Sequence, residues 1–308
     1  MANRILVTGA SGFVGRALVS ELANRRYHVL RHDSCDGDIA SCAFPNEAVE
    51  HVFHLAGRSY VPESWERPLE FYRTNVLGCV NVLELCRRRG SSMTFVSSYV
   101  YGNPERLPIS EEHPRLAVNP YAQSKMLAED VCQFYADKFA IPICIVRPFN
   151  LYGPGQAERF LIPSLVGQAL YDPAHRITVA DARPRRDFLY ISDFVELLLL
   201  TLGSRAAGIY NAGSGESVSI RDAVDVLITV VGERTLVSRN ERRRDEILEV
   251  RADIGKAKRE LGWEPVVSFR EGIVALVDAY RGYHARPSGP GEGRAASGLT
   301  GARERNEL

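Results

Sequence analysis

Tyr121 and Lys125 are the residues of this chain whose types and spacing most directly indicate chemistry. They lie four positions apart in the segment Asn-Pro-Tyr-Ala-Gln-Ser-Lys, residues 119–125. In a helix, this spacing places a phenol and an ammonium on one face, one turn apart. A free tyrosine titrates at about pH 10, so it needs a neighbouring cation to act as a base at neutral pH. The pair therefore predicts a proton-transfer centre, although the same string also occurs on ordinary solvated helix faces.

A glycine-rich loop near the start of the chain predicts a phosphate-binding turn. Gly9, Gly12 and Gly15 follow the apolar run at residues 5–7 and precede a helical pattern that extends to about Ala23. Missing side chains let the backbone approach a pyrophosphate, and a helix N-terminus offers free N–H groups and a favourable dipole. The spacing differs from the commoner Gly-x-Gly-x-x-Gly fingerprint, so a tight strand-to-helix turn is the alternative explanation.

An acidic residue near the end of the second strand bears on which dinucleotide binds. A carboxylate at Asp33 would accept hydrogen bonds from an adenosine ribose diol and repel a 2′-phosphate, which favours NAD over NADP. Arg31 and His32 lie beside it and would suit a 2′-phosphate if the strand ended earlier, so NADP stays possible. Asp38 and Ile39 are predicted to form the tip of the next strand and to border the adenine.

Alternating strand and helix patterns must position these residues. Strand patterns are found at residues 5–7, 29–30, 52–55, 94–96 and 143–146. Apolar residues recur at spacings of three and four between Pro68 and Arg88, and a further helix is expected from Pro120 toward Phe139. This alternation predicts an α/β fold, a Rossmann-type doubly wound parallel sheet with a smaller C-terminal substrate-binding lobe. We expect a dinucleotide-binding domain over residues 1–150, joined by some later segments, the lobe over 151–284, and a disordered tail over 285–308.

Composition and charge exclude several functional classes. Lysine plus arginine balance aspartate plus glutamate at 38 each, so we expect no nucleic-acid partner. An apolar stretch of about 18 residues and an N-terminal signal sequence are both missing, which predicts a cytoplasmic protein without a membrane partner. The six cysteines form no Cys-x-x-Cys pair, and His51 and His54 should point to opposite faces of a strand. We therefore expect reduced thiols and no metal site.

Six motifs follow one another in an order typical of one enzyme family. They occupy residues 8–15 (TGASGFVG), 54–57 (HLAG), 74–78 (TNVLG), 97–102 (SSYVYG), 121–125 (YAQSK) and 147–156 (RPFNLYGPGQ). Over roughly residues 3–280 the chain resembles the extended short-chain dehydrogenases/reductases, and among them the NAD-dependent nucleotide-sugar epimerases and dehydratases. Segments 185–193, 210–215 and 253–263 are similar to the same branch.

The resemblance implies a role for each matched residue. Tyr121 would exchange a proton with a sugar hydroxyl while a hydride moves between the same carbon and the nicotinamide, and Lys125 would lower the pKa of the tyrosine and hold the nicotinamide ribose. Ser97, three residues before Val100, would hydrogen-bond the reacting oxygen, with Ser98 as the alternative. The other expected cofactor contacts are Gly9, Gly12, Phe13, Val14, Gly15, Asp33, Asp38, Ile39, Leu55, Ala56, Gly57, Asn75 and Phe149.

The expected substrate is a nucleotide-diphosphate sugar, whose diphosphate suits arginine forks. Its contacts are expected from Ser64, Ser97, Asn150, Arg186 and Arg243. For Arg243 the alternative is a solvated charge run with its neighbours. A homodimer through the helices at 68–88 and 121–139 is also implied by the resemblance.

The resemblance also narrows the reaction. Dehydratases of this branch carry an acidic pair directly after the catalytic hydroxyl residue, whereas Ser98 and Tyr99 occupy those positions here. We therefore expect no dehydration. The first expectation is epimerisation at sugar C4 with retained NAD, and the alternative is reduction of a 4-keto-6-deoxy sugar by NADPH or NADH. A dinucleotide-sensing protein without catalysis is disfavoured because Ser97, Tyr121 and Lys125 are all present.

Overall fold

Strands and helices alternate through the first half of the chain in the computed structural model, which describes residues 4–44, 47–202, 207–241 and 247–284. The strands are β1 Arg4–Thr8, β2 His28–His32, β3 His51–His54, β4 Ser92–Val96, β5 Ile143–Pro148, β6 Asn150–Tyr152, β7 Arg176–Val179, β8 Arg185–Arg186, β9 Phe188–Tyr190, β10 Gly208–Ala212, β11 Val218–Ser219 and β12 Thr235–Ser238. The α-helices are α1 Phe13–Asn24, α2 Val61–Glu66, α3 Pro68–Tyr72, α4 Gly78–Arg89, α5 Pro120–Phe139, α6 Leu161–Tyr171, α7 Ile191–Leu200, α8 Ile220–Val231, α9 Gly255–Leu261 and α10 Phe269–His284.

Six parallel strands form the central sheet in the order β10-β5-β4-β3-β1-β2. The chain leaves β1 toward β2 on one side and continues through β3, β4 and β5 on the other, so the order reverses between β1 and β3. Ligands of open α/β sheets bind at such a reversal, outside the carboxyl ends of the strands. The predicted α/β class and doubly wound parallel sheet are confirmed.

Helices cover both faces of the sheet because its strands are apolar on both sides. On one face, residues of α1, α7 and α9 pack with β1 and β10; on the other, residues of α4 and α5 pack with β3, β4 and β5. A separate core joins α6, α8 and α10 with β7 and β9. Thus α7, α9 and β10 belong to the central sheet and its helix layers, although they follow residue 150 in the chain.

Two elements differ from the sequence expectations. Asp38 and Ile39 lie in a turn between a short 3-10 helix at Ser34–Asp36 and β3, not at a strand tip. The expected helix from Pro68 is divided: α3 ends at Tyr72, a π-helical segment spans Arg73–Leu77, and α4 follows. The predicted tail at 285–308 lies outside the described residues.

Within the described ranges, no helix combines the length and the apolar character needed to cross a bilayer. The same residues contain no cluster of three or more histidine, cysteine or acidic side chains that could hold a metal ion.

Candidate active site

A cavity of about 580 Å³ lies at the carboxyl ends of β1, β3, β4 and β5. Its walls come from the glycine loop, the segments that follow β3, β4 and β5, the start of α5 and the start of α6. The position follows from the strand order, since all six strands end at this edge of the sheet. Tyr121 and Lys125 both line this cavity together with Gly9, Gly12 and Gly15. The structure therefore brings the predicted proton-transfer pair and the predicted phosphate-binding loop into one site.

Glycine is required at two positions of the loop. Gly9 has φ +70°, and a Cβ there would lie 2.8 Å from the backbone nitrogen of Ala56. A Cβ at Gly15 would lie 2.1 Å from the Gly9 carbonyl oxygen. The turn that follows delivers Gly12 as the N-cap of α1, and no side chain caps this helix end. Free N–H groups at an uncapped helix start are suited to bind a pyrophosphate.

Asp33 faces this glycine loop from the end of β2. Its Oδ1 accepts hydrogen bonds from the backbone nitrogen and the hydroxyl of Ser11, both at 2.8 Å. His32 is buried, with Nε2 3.5 Å from the sulfur of Cys42. Arg31 is exposed. The loop, the bare helix start and the oriented carboxylate fit the pyrophosphate and the adenosine ribose of a dinucleotide.

Tyr121 lies one residue inside α5, which begins where the sequence indicated. The Asn119 side chain accepts a hydrogen bond from the Ala122 nitrogen at 2.8 Å and caps the helix, and Pro120 occupies the first turn. Burial raises the pKa of Tyr121 above its ordinary value, and the nearby Ser98 hydroxyl opposes that shift. Tyr121 is consequently a protonated phenol at neutral pH in this structure.

Lys125 lies one turn further along α5 and lines the same cavity. Its Nζ donates to the Val96 carbonyl oxygen at 2.7 Å and lies 4.5 Å from the centre of the Phe95 ring. Burial lowers the pKa of Lys125 to about 8. In this structure the Lys125 ammonium is bound at the end of β4, and burial is the largest cause of the raised pKa of Tyr121.

Ser97 and Ser98 differ in the surroundings of their hydroxyls. The Ser97 hydroxyl donates to Glu129 Oε1 at 2.5 Å, and Ser97 also lines the cavity. The Ser98 hydroxyl is buried near Tyr121, although no partner among the described residues satisfies full hydrogen-bond geometry for it. Both serines line the cavity, and of the two it is the Ser98 hydroxyl that interacts with Tyr121.

Glu129 anchors the end of β4 from the interior, and sequence reasoning missed it. Its carboxylate accepts hydrogen bonds from Ser97, from Arg147 at 3.0 and 2.6 Å, and from Arg115 at 3.1 Å. Glu129 and Arg147 are both almost fully buried. The available signal was its position four residues after Lys125, on the same helix face as Tyr121 and Lys125.

The lining of the cavity carries no carboxylate among the described residues. Its charged members there are Arg58 and Lys125, and most of the remaining wall is apolar or aromatic. Tyr99 and Val100 follow Ser98. The acidic pair of a dehydratase is therefore missing whether it is counted from Ser97 or from Ser98. The Tyr99 hydroxyl donates to the Gly102 carbonyl oxygen at 2.7 Å, and its ring packs edge-on against Phe149 at 5.2 Å.

The other predicted cofactor residues fall into two groups. Phe13, Val14, Leu55, Gly57 and Phe149 line the cavity. Asn75 is buried just behind it and accepts a hydrogen bond from the Arg58 nitrogen at 2.9 Å while donating to Ser124 at 2.8 Å. The backbone N–H of Ala56 donates to the Thr8 hydroxyl. The cavity lining does not include Ala56, Asp38 or Ile39.

The predicted substrate residues are dispersed. Asn150 lines the cavity. Arg186 lines an adjoining cavity of about 330 Å³, which shares Phe160 and Leu161 with the first. Ser64, expected as a substrate contact, is buried in α2 outside the cavity lining, and its hydroxyl donates to the Val61 carbonyl oxygen of the same helix at 2.7 Å. Arg243 lies outside the described residues.

This fold and site define an NAD(P)-dependent enzyme of the short-chain dehydrogenase/reductase class. The family model described as GDP-mannose 4,6 dehydratase matches residues 23–276. The chain belongs to that family, within the extended short-chain dehydrogenases/reductases whose members include nucleotide-sugar epimerases, dehydratases and reductases. The expected family and the expectation of an NAD(P)-dependent enzyme are thereby confirmed.

Individual relatives differ in reaction. The chain is 35% identical over 303 residues to the GDP-6-deoxy-D-mannose reductase of Pseudomonas aeruginosa, covering 90% of this chain and 97% of the relative. It is 30% identical over 299 residues to a putative UDP-glucose 4-epimerase of Methanocaldococcus jannaschii, covering 89% and 97%. Among solved structures, RMD from Pseudomonas aeruginosa complexed with NADPH has a TM-score of 0.83 at 30% identity, covering 92% of this chain and 100% of that one. MoeE5 in complex with UDP-glucuronic acid and NAD has a TM-score of 0.84 at 28% identity, covering 91% and 100%.

Proposed function

We propose that this protein reduces the 4-keto group of a nucleotide-linked 6-deoxy sugar with a reduced nicotinamide cofactor. The observation that carries the proposal is a cavity wall free of carboxylates in the described chain, on which the Tyr121 phenol lies beside the Ser98 hydroxyl. A reductase must deliver one proton to a carbonyl oxygen, and a phenol of raised pKa is the form that can give it. The similarity to a curated reductase at 35% identity supports the same choice.

Each step of the reaction is assigned to residues of this chain. The Ser98 hydroxyl hydrogen-bonds the 4-keto oxygen and orients it toward Tyr121, which donates its proton to that oxygen as negative charge develops there. Lys125, fixed by the Val96 carbonyl oxygen, places its charge at the floor of the site. The bound dinucleotide supplies the hydride to the sugar carbon. The carbonyl becomes an alcohol, and the tyrosinate recovers its proton from solvent.

The substrate requires more room than the main cavity offers once a dinucleotide occupies the glycine loop. The adjoining cavity contains Arg186 and opens beside Phe160, so the nucleoside diphosphate is assigned to that space. A guanidinium there suits a diphosphate, which presents paired oxygens.

A test uses 4-keto-6-deoxy sugars linked to GDP, UDP or dTDP, with NADH or NADPH, and follows the loss of absorbance of the reduced cofactor. We expect stoichiometric cofactor oxidation with at least one of these sugars. Tyr121→Phe should bind NADH as the parent does and lose kcat by about 10²- to 10⁴-fold, the usual contribution of a general acid. Tyr171→Phe, on the exposed end of α6, is the matched control and should retain activity. Unchanged turnover in Tyr121→Phe would contradict the assignment.

C4 epimerisation is the second candidate, favoured by one observation. The Asp33 carboxylate held by Ser11 suits NAD, and an epimerase returns the hydride to the same sugar without net use of cofactor. The two functions separate cleanly: an epimerase interconverts nucleotide hexoses with no net change in cofactor absorbance and releases NAD when the purified protein is denatured.

A further inference from the structure

Arg16 makes two hydrogen bonds that join separate parts of the cofactor and substrate regions. One amino group of its guanidinium, Nη1, donates to the Ser11 carbonyl oxygen at 2.5 Å, and Nη2 donates to the Gly155 carbonyl oxygen at 2.8 Å. Ser11 belongs to the glycine loop, whereas Gly155 lies in the segment between β6 and α6. These two segments are more than a hundred residues apart in the chain, and Arg16 connects them directly.

The position of this arginine is unfavourable for the helix that carries it. Arg16 lies in the first turn of α1, which has no acidic residue there and no side-chain cap. A cation at a helix N-terminus opposes the helix dipole. Its side chain is also exposed, so ordering it costs conformational entropy. Helix stability therefore gives no reason for Arg16, whereas an anionic ligand at the same helix start does.

The segment that Arg16 contacts covers the cavity. Gln156 and Phe160, which follow Gly155, both line the main cavity. The far end of the segment also packs against the cofactor half, because the Arg159 guanidinium lies 4.8 Å from the centre of the Tyr60 ring. The cover segment, residues 153–160, is thus held at both ends by residues of the sheet domain.

The bonds of Ser11 complete a continuous connection. Its nitrogen and hydroxyl donate to Asp33, and its carbonyl oxygen accepts from Arg16, which in turn holds Gly155. A dinucleotide that occupies the glycine loop would lie along this line, from the ribose at Asp33 to the pyrophosphate at the start of α1. Movement of the cover segment is consequently tied to the backbone that would hold the pyrophosphate.

We propose that Arg16 is a positioning residue that couples the cover segment to the glycine loop and so retains the dinucleotide. Release of the cofactor requires the bond from Arg16 to Gly155 to break before the cover segment moves. Retention of this kind sets the rate of cofactor exchange, a step that a reductase performs in every turnover.

The test measures the release of NADH without any sugar, so its result is independent of which sugar reaction the protein catalyses. NADH bound to the full chain is displaced by excess NAD in a stopped-flow instrument, and its fluorescence is followed. We expect Arg16→Ala to release NADH about tenfold faster, the effect of losing a charge-assisted hydrogen bond. Arg16→Lys should lie between, because an ammonium lacks the fork that reaches both carbonyl oxygens. Arg25→Ala, an exposed arginine at the other end of α1, is the matched control and should leave release unchanged.

Hydrogen exchange of the backbone amides of residues 153–160 separates coupling from a purely local effect. Arg16→Ala should exchange faster there than the parent protein, with or without NADH. Release at the parental rate in Arg16→Ala would overturn the proposal. Faster release with unchanged exchange at 153–160 would also overturn it, since the effect would then arise from the glycine loop alone.

Discussion

The hydroxyl of Ser97 donates to the carboxylate of Glu129 at 2.5 Å, and this bond occupies the hydroxyl of one of the two serines that follow β4. The two serines are neighbours directly after β4, and both line the cavity. The Ser97 hydroxyl is bound to Glu129, whereas the Ser98 hydroxyl lies beside Tyr121. A buried carboxylate 32 residues away in the chain therefore binds the hydroxyl of Ser97 and leaves that of Ser98 to interact with Tyr121.

Separate alanine substitutions of the two serines test this arrangement. Ser98→Ala should lower kcat by about 10²-fold or more, because a donor aimed at the developing oxyanion is lost. Ser97→Ala should retain more of kcat but lower the free energy of unfolding by about 1–3 kcal/mol, because Glu129 loses a buried donor. Steady-state kinetics and urea unfolding of both variants check the assignment. A larger loss of kcat in Ser97→Ala at equal stability would return the catalytic role to Ser97.

Lys125 should cost stability at neutral pH. Its folded-state pKa of about 8 lies below the unfolded value of 10.5, so the unfolded state binds more protons between these values, and stability rises with pH across that window. Lys125→Met should remove this dependence and raise the free energy of unfolding at pH 7 by up to about 3 kcal/mol, less the lost bond to Val96. Urea unfolding at pH 7 and pH 10 measures both effects. An advantage of the variant that grows with pH would contradict the burial argument.

Asp33 should determine the preference for the unphosphorylated cofactor. Asp33→Asn removes the charge that repels a 2′-phosphate while keeping an acceptor for Ser11. We expect the ratio of the Kd for NADPH to the Kd for NADH to fall about tenfold or more, measured by fluorescence titration. Asp225→Asn, an exposed acid on α8, controls for net charge and should leave the ratio unchanged. An unchanged ratio in Asp33→Asn would show that another group selects the cofactor.

The buried pair of Glu129 and Arg147 should be costly to break from one side. Both side chains are 3% exposed or less. Glu129→Gln leaves Arg147 charged and only partly paired, and should lower the free energy of unfolding by about 3–5 kcal/mol. Glu84→Gln, whose carboxylate pairs with Arg87 nearer the surface, should cost no more than about 1 kcal/mol. Urea unfolding compares the two variants. Similar decreases in the free energy of unfolding would show that the buried pair contributes no more to stability than the pair nearer the surface.

Features with a local cause were predictable from the sequence. The start of α5 follows from Asn119 and Pro120, which cap and initiate a helix through contacts within one turn. The glycine loop is equally local, because Gly9 and Gly15 avoid clashes within a single strand-to-helix turn and the strand beside it. Both were therefore found together with the order of strands and helices around them.

Features that depend on distant partners were not predictable. The direction of Ser97 depends on Glu129, and the hydroxyl of Ser64 turns back to its own helix because Ser64 is buried. The direction of Lys125 depends on the exposed carbonyl at the end of β4, not on its spacing from Tyr121. Spacing along a helix fixes the face from which a side chain leaves, but not the partner to which its end group bonds.

The place of β10 in the sheet bears on how the protein is synthesised. β10 pairs with β5 along its whole length, but the segment 149–207 separates the two strands in the chain. Until residue 212 leaves the ribosome, the nascent sheet ends at β5, a buried apolar strand with one unpaired edge. Such an edge invites pairing with another chain. We infer that premature termination anywhere between residues 149 and 207 yields an aggregating fragment, not a smaller dinucleotide-binding protein.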